Sequence, residues 1–167
     1  TDHKVIAIDR DDSVIDIAKR ISKKHYDRFD FIHDTFSNGK DRLIKMGVDK
    51  IDAVVFDIGL SSMQIDDAGR GFSFMNDGPL DMRMGKNKNT AKEFIDKAKE
   101  EEIAKVIMEY GEERRYRSIA KNIYQNRLSI NSTKDLATII KRGLKGPEKF
   151  KIKTIARVFQ SIRIHIN

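Results

Sequence analysis

Apolar residues arrive along this chain in two rhythms. Up to residue 57, short apolar runs alternate with stretches of helical spacing; after residue 90 only helical spacing remains. Lys4–Asp9 has the length and composition of a strand and ends in an acid. Asp11-Asp12-Ser13 then supply helix-start chemistry, with carboxylates at the positive helix end. Val14, Ile17, Ala18 and Ile21 follow at i, i+3, i+4 and i+7, which puts them on one helix face. Phe29–His33 reads as a second strand. Asp41–Met46 reads as a short helix closed by Gly47, and Ile51–Asp57 as a third strand, the most buried of the three by composition. Strands separated by helices predict right-handed βαβ units and a parallel sheet.

Residues 58–88 break this rhythm with Gly59, Gly69, Gly71, Gly78, Gly85 and Pro79. A long irregular stretch in a compact domain is usually functional. It follows the carboxyl end of the third predicted strand, where open α/β sheets bind their ligands. Beyond Thr90, helices are predicted from Ile103, Val106, Ile107 and Tyr110, ended by Gly111, and from Tyr116, Ile119, Ala120 and Ile123. Ser132-Thr133-Lys134-Asp135 resembles a capping box ahead of Leu136, Ile139 and Ile140. Ile155, Val158, Phe159, Ile162 and Ile166 mark a last helix. The expected architecture is α/β: part of a parallel sheet over 1–66, an irregular loop and inserted helical unit over 67–150, and a helix over 151–167 returning toward the sheet.

Composition narrows the chemistry. The 167 residues include no cysteine, which excludes disulfides, thiolate zinc sites and thiol nucleophiles within this stretch. The four histidines show no ligand spacing, so no metal site is expected. No apolar run approaches the roughly 18–20 residues of a membrane span. The net charge of +7 is uneven. Residues 1–66 carry 11 basic and 13 acidic side chains, residues 67–167 carry 22 and 13. A basic second part points to a polyanionic partner or to a solvated surface.

Several side chains are placed to carry chemistry. Asp9 closes the first strand, where a carboxylate either caps the next helix or accepts from two ribose hydroxyls. Phe36 follows the second strand and either packs under a loop or lies against an adenine ring. Asp57 ends the third predicted strand just before Gly59, a position for a turn cap or a ligand contact. Arg114, Arg117 and Lys121 fall at i, i+3 and i+7, a one-sided stripe suited to phosphates or to solvent. Gln160, Arg163 and Asn167 form a polar stripe on the last helix.

One stretch is far more specific. Arg70-Gly71-Phe72-Ser73-Phe74-Met75-Asn76-Asp77-Gly78-Pro79-Leu80-Asp81-Met82-Arg83-Met84 closely resembles the signature of the RsmH (MraW) family. Ile6–Asp11, Asp57-Ile58-Gly59-Leu60-Ser61-Ser62 with Gln64, Tyr110–Arg114 and Phe159–Ile164 agree in order and spacing. The resemblance implies a Rossmann-like, S-adenosylmethionine-dependent methyltransferase with an inserted helical domain, acting on a cytosine N4 amine of small-subunit ribosomal RNA. It further implies that Asp9, Phe36, Asp57 and Gln64 bind the cofactor, and that the inserted helices face the RNA; Arg114, Arg117, Lys121 and Arg163 are the candidate RNA contacts. Asp57 and Asp81 are the candidate catalytic acids, with Asp81 near the target base. A bacterial member would work in the cytoplasm, an organellar relative in its organelle.

The chain departs from the family pattern. Family members begin with another strand and a Gly-rich loop ending in Gly-His, and they continue into later core strands. This chain is therefore expected to span roughly half of a complete enzyme and to be inactive alone. Met63 stands where the family usually has Pro, and Lys153-Thr154-Ile155-Ala156 where it has His-Pro-Ala-Thr. The other readings of the residues are a non-enzymatic RNA-binding module and a fragment of a different Rossmann enzyme.

Overall fold

The computed structural model describes residues 3–85, 87 and 89–167; Lys86 and Lys88, within the expected loop, lie outside the described residues. The chain forms two compact units, residues 1–58 and 59–167.

In the first unit, β1 (Val5–Asp9) and β2 (Phe29–His33) pair in parallel, with Val5 opposite Phe29 and Asp9 opposite His33. The crossover is α1 (Ile15–Lys24), entered through a single 3-10 turn over Asp12–Val14. Asp11 starts that turn: its buried carboxylate accepts the Ser13 N–H at 2.9 Å. Ala18, at the centre of the predicted apolar face, is the buried residue of α1. α2 (Gly39–Lys45) follows β2, and Gly47 beyond it takes a left-handed φ of 73°.

The third predicted strand is not formed. Among the described residues the sheet has two strands, and 51–57 takes part in no ladder. Val55 is 90% exposed and Phe56 68%. The run has the composition of a strand covered on both faces. Such a run becomes a strand only when a neighbour accepts its backbone bonds, and apolarity alone supplies none.

The second unit is helical. α3 (Ser62–Asp66) and a 3-10 turn (Ala68–Arg70) interrupt the stretch expected to be irregular. Then come α4 (Ala91–Lys97), α5 (Glu100–Gly111), α6 (Tyr116–Asn126), α7 (Thr133–Arg142) and α8 (Glu148–Ile166). The capping box at Ser132 forms as its spacing predicts, and Thr90 with Glu93 makes another at the start of α4. The predicted faces of α5 to α8 meet in one core, in which Ile103, Ile107, Ile119, Ile123, Leu136, Ile140, Val158, Phe159 and Ile162 are buried. α8, expected to return toward the sheet, packs here chiefly against α5. No described helix is long and apolar enough to cross a membrane.

Candidate functional site

In the first unit the candidate residues gather at the carboxyl edge of the parallel pair. Asp9 ends β1 in an exposed position; its Oδ1 accepts the Asp11 N–H at 2.8 Å. One carboxylate oxygen therefore shapes the turn, as a capping acid does. The second enters no bond among the described residues. The Asp9 carbonyl accepts the Asp34 N–H at 3.1 Å, which ties the two post-strand loops together.

Asp34 organises the second loop. Its carboxylate accepts from the Thr35 N–H (2.8 Å), Asn38 Nδ2 (2.8 Å) and Arg42 Nε (2.6 Å). These donors, led by Asn38 and Arg42, lower its pKa to about 2. The loop so braced presents Phe36, which is 61% exposed and meets Phe56 edge-on with ring centroids 6.0 Å apart. That contact brings the run before Asp57 to the same edge as Phe36. Asp57 is exposed.

The remaining candidates lie in the second unit. Gln64 is buried and completes a capping box: its Oε1 accepts the Ser61 N–H at 3.0 Å, while Ser61 Oγ accepts the Gln64 N–H at 3.2 Å. The Ser-x-x-Gln spacing announces this cap.

The signature stretch wraps onto the helices. Phe72, Leu80 and Met82 are buried in the core, and Phe74 packs on Phe159. Asp77 caps α7 from 57 residues away, accepting the Lys134 N–H at 3.1 Å; the Ser132 hydroxyl and that N–H hold its pKa down. Asp81 is gripped by Arg83 through Nε (2.6 Å) and Nη2 (2.7 Å), and this bidentate guanidinium holds its carboxyl below the usual range. The Asp81 carbonyl accepts the Ala91 N–H at 2.9 Å. Arg70 Nη2 donates to the Arg83 carbonyl at 2.9 Å.

The polar stripe on α8 turns inward to this wrap. Arg163 Nη1 donates to the Phe72 carbonyl at 2.7 Å, and burial pushes its pKa below the ordinary value. Asn167 binds Met82 and Met84, and Asn87 reaches the Ile166 carbonyl at 2.8 Å. The structure thus gives Arg163 a partner within the signature. Of the basic stripe, Arg114 lies in the turn before α6, not on the helix; Arg117 and Lys121 are on it, and all three are exposed.

A parallel β-α-β unit with an acid and an aromatic at its carboxyl edge, joined to a helical unit wrapped by the signature, is a partial Rossmann-like methyltransferase fold. The chain belongs to the MraW methylase family, whose model matches residues 1–167. It is similar to proteins named ribosomal RNA small subunit methyltransferase H. It is 45% identical over 165 residues to the one from Rickettsia conorii, and 46% to those from Rickettsia canadensis and Rickettsia prowazekii. Each match covers 98% of this chain and 52–53% of the relative. The chain therefore spans about half the length of the curated relatives it matches.

Proposed function

We infer that this chain supplies part of the cofactor edge and the helical unit of an S-adenosylmethionine-dependent methyltransferase acting on the N4 amine of a cytosine in small-subunit ribosomal RNA, in the cytoplasm. One observation carries the reading. Asp9 and Phe36 stand at the carboxyl edge of the parallel pair, in a chain matched end to end by a methylase family. The residues suit an adenosine: Asp9 keeps one oxygen for the ribose diol, and Phe36 offers an open aromatic face. Asp57 would complete the cofactor contacts beside them. Gln64 would act through the backbone turn it caps.

S-adenosylmethionine, when bound, supplies an electrophilic sulfonium methyl. The cytosine N4 lone pair is delocalised into the ring and is a poor nucleophile. The protein's tasks are then to hold the base in line, which is worth several kcal/mol, to accept from the amine hydrogens and to exclude water. A base inside a stack must first be turned out. A strong general base is not needed, because the amine becomes acidic only as the methyl arrives. Asp81 is our candidate beside the target base, oriented by Arg83. Arg114, Arg117 and Lys121 would contact RNA phosphates.

The test is a chimera in which residues 1–167 replace the matched stretch of the Rickettsia prowazekii relative. Given small ribosomal subunits lacking the modification, it should yield N4-methylcytosine, detected by mass spectrometry of nuclease digests. A folded, cofactor-binding chimera that methylates no ribosomal RNA overturns the reading.

A further inference from the structure

The positive charge of the second unit sits on one segment. Residues 114–157 carry thirteen Lys and Arg against two acids, Asp135 and Glu148, whereas residues 59–112 carry eight against eleven. Both acids in the basic segment are engaged. Asp135 Oδ2 accepts the Asn131 and Ser132 N–H groups, and Glu148 pairs with Lys141 at 2.5 Å.

Six of the thirteen form two exposed rows: Arg114, Arg117 and Lys121 around the start of α6, and Lys145, Lys149 and Lys153 leading into α8. Lys149 and Lys153 are four residues apart, hence on one helix face. Arg115 fastens the rows together. Its guanidinium lies 4.9 Å from the centre of the Phe150 ring, and its Nη1 donates to the Lys145 carbonyl at 3.4 Å.

The turn that launches Arg114 and Arg115 is fixed from below. The Glu113 carboxylate is 3% exposed; it accepts the Arg115 N–H at 3.0 Å and meets Arg157 of α8 at 3.3 Å. Phe150 and Arg157 are two helical turns apart on α8, so the turn is held to that helix at two levels. Gly111, just before, presses so closely on α8 that an added Cβ would lie 2.9 Å from the Arg157 carbonyl oxygen.

Guanidinium and ammonium groups in rows suit phosphates, without reading bases. An anionic membrane is the weaker match. Interfacial binders insert apolar side chains, and Phe150, the aromatic beside the lysine row, has Arg115 over its ring. Resting on the ribosomal RNA reading above, we propose that the α8 row of Lys145, Lys149 and Lys153 extends the α6 row into one docking face for the sugar–phosphate backbone of RNA.

The experiment measures binding of the full chain to transcribed small-subunit ribosomal RNA across a salt series. Wild type is compared with Lys145→Ala/Lys149→Ala/Lys153→Ala, and with Lys19→Ala/Lys23→Ala/Lys24→Ala, which removes equal charge from exposed positions on α1. The α8 triple should weaken binding at least about tenfold and reduce the slope of log K against log salt by about two to three. The α1 triple should stay within about twofold. Equal losses in both triples, no loss in the α8 triple, or tighter wild-type binding to phosphatidylglycerol vesicles than to RNA would overturn the proposal. So would failure of wild type to bind RNA. None of these results touches the enzyme reading, which the chimera's methyl transfer reports separately.

Discussion

The Asn167 side chain brackets Met82. Its Nδ2 donates to the Met82 carbonyl at 2.7 Å, and its Oδ1 accepts the Met84 N–H at 2.6 Å. Met82 is buried and has a φ of 60°, a left-handed conformation that costs a non-glycine residue about 1 kcal/mol or more. The last residue of the chain thus holds the signature in a shape its backbone would not choose alone.

Asn167→Ala should therefore lower the stability of the second unit by about 1–3 kcal/mol, the usual cost of stranding buried polar groups. Asn167→Asp should cost more, because a carboxylate oxygen would then face the carbonyls of Met82 and Arg163. Urea unfolding followed by helical circular dichroism reads both. An alanine variant as stable as wild type removes Asn167 from this role.

Two glycines of the signature should tolerate no side chain. A Cβ on Gly78 would collide with the Ala68 carbonyl, and one on Gly71 with the Pro79 carbonyl; Gly71 also has a φ of 67°. The obstacles are backbone and cannot rotate aside. Either alanine variant should destabilise by about 1–3 kcal/mol or more, visible as a lower melting temperature. Gly47→Ala is the contrast: its φ is also positive, but its Cβ would meet open space, so only backbone strain opposes it.

Asp34 makes the first unit acid-sensitive. Its folded pKa, about 2, lies below the ordinary 3.8, so its stabilisation is complete above pH 4 and is lost as pH falls through about 2. Arg42→Ala should move the Asp34 titration, followed by carboxyl NMR, back toward 3.8. A titration that does not move shows that Arg42 is not a cause of the shift.

Asp81 and Arg83 can be separated from simple scaffolding in the chimera. Asp81→Ala should reduce turnover far more than cofactor affinity. Arg83→Ala, which removes the guanidinium and leaves the backbone N–H of residue 83 on Asp81 Oδ1, should give a smaller loss of turnover. Equal losses with a matching fall in melting temperature would assign the pair to structure alone.

S-adenosylmethionine titrated calorimetrically into the isolated chain should give little or no heat, while the chimera should bind it. Strong binding by the chain alone would show that its own residues suffice for the cofactor.

The helical unit was largely legible because its signals are local. Ile119, Ala120 and Ile123 recur at helical spacing and are buried; Ser132 and Asp135 sit three apart and cap. β2 is likewise found where its apolar run predicts. Non-local matters were not legible. The run over 51–57 carries strand composition, but pairing belongs to two segments at once. Asp77 capping α7, and Arg163 and Asn167 turning to the signature, depend on contacts made across 57 to 91 residues. The Gln64 cap is a local signal as well, carried by the Ser61-x-x-Gln64 spacing.

The uncovered run at 51–58 has a practical consequence. Val54, Val55, Phe56 and Ile58 are all more than half exposed, and among the described residues the run joins no sheet. Short apolar segments without a charge at their centre are templates for edge-to-edge association between copies. Concentrated preparations should self-associate through this segment, and Val55→Lys should keep them dispersed.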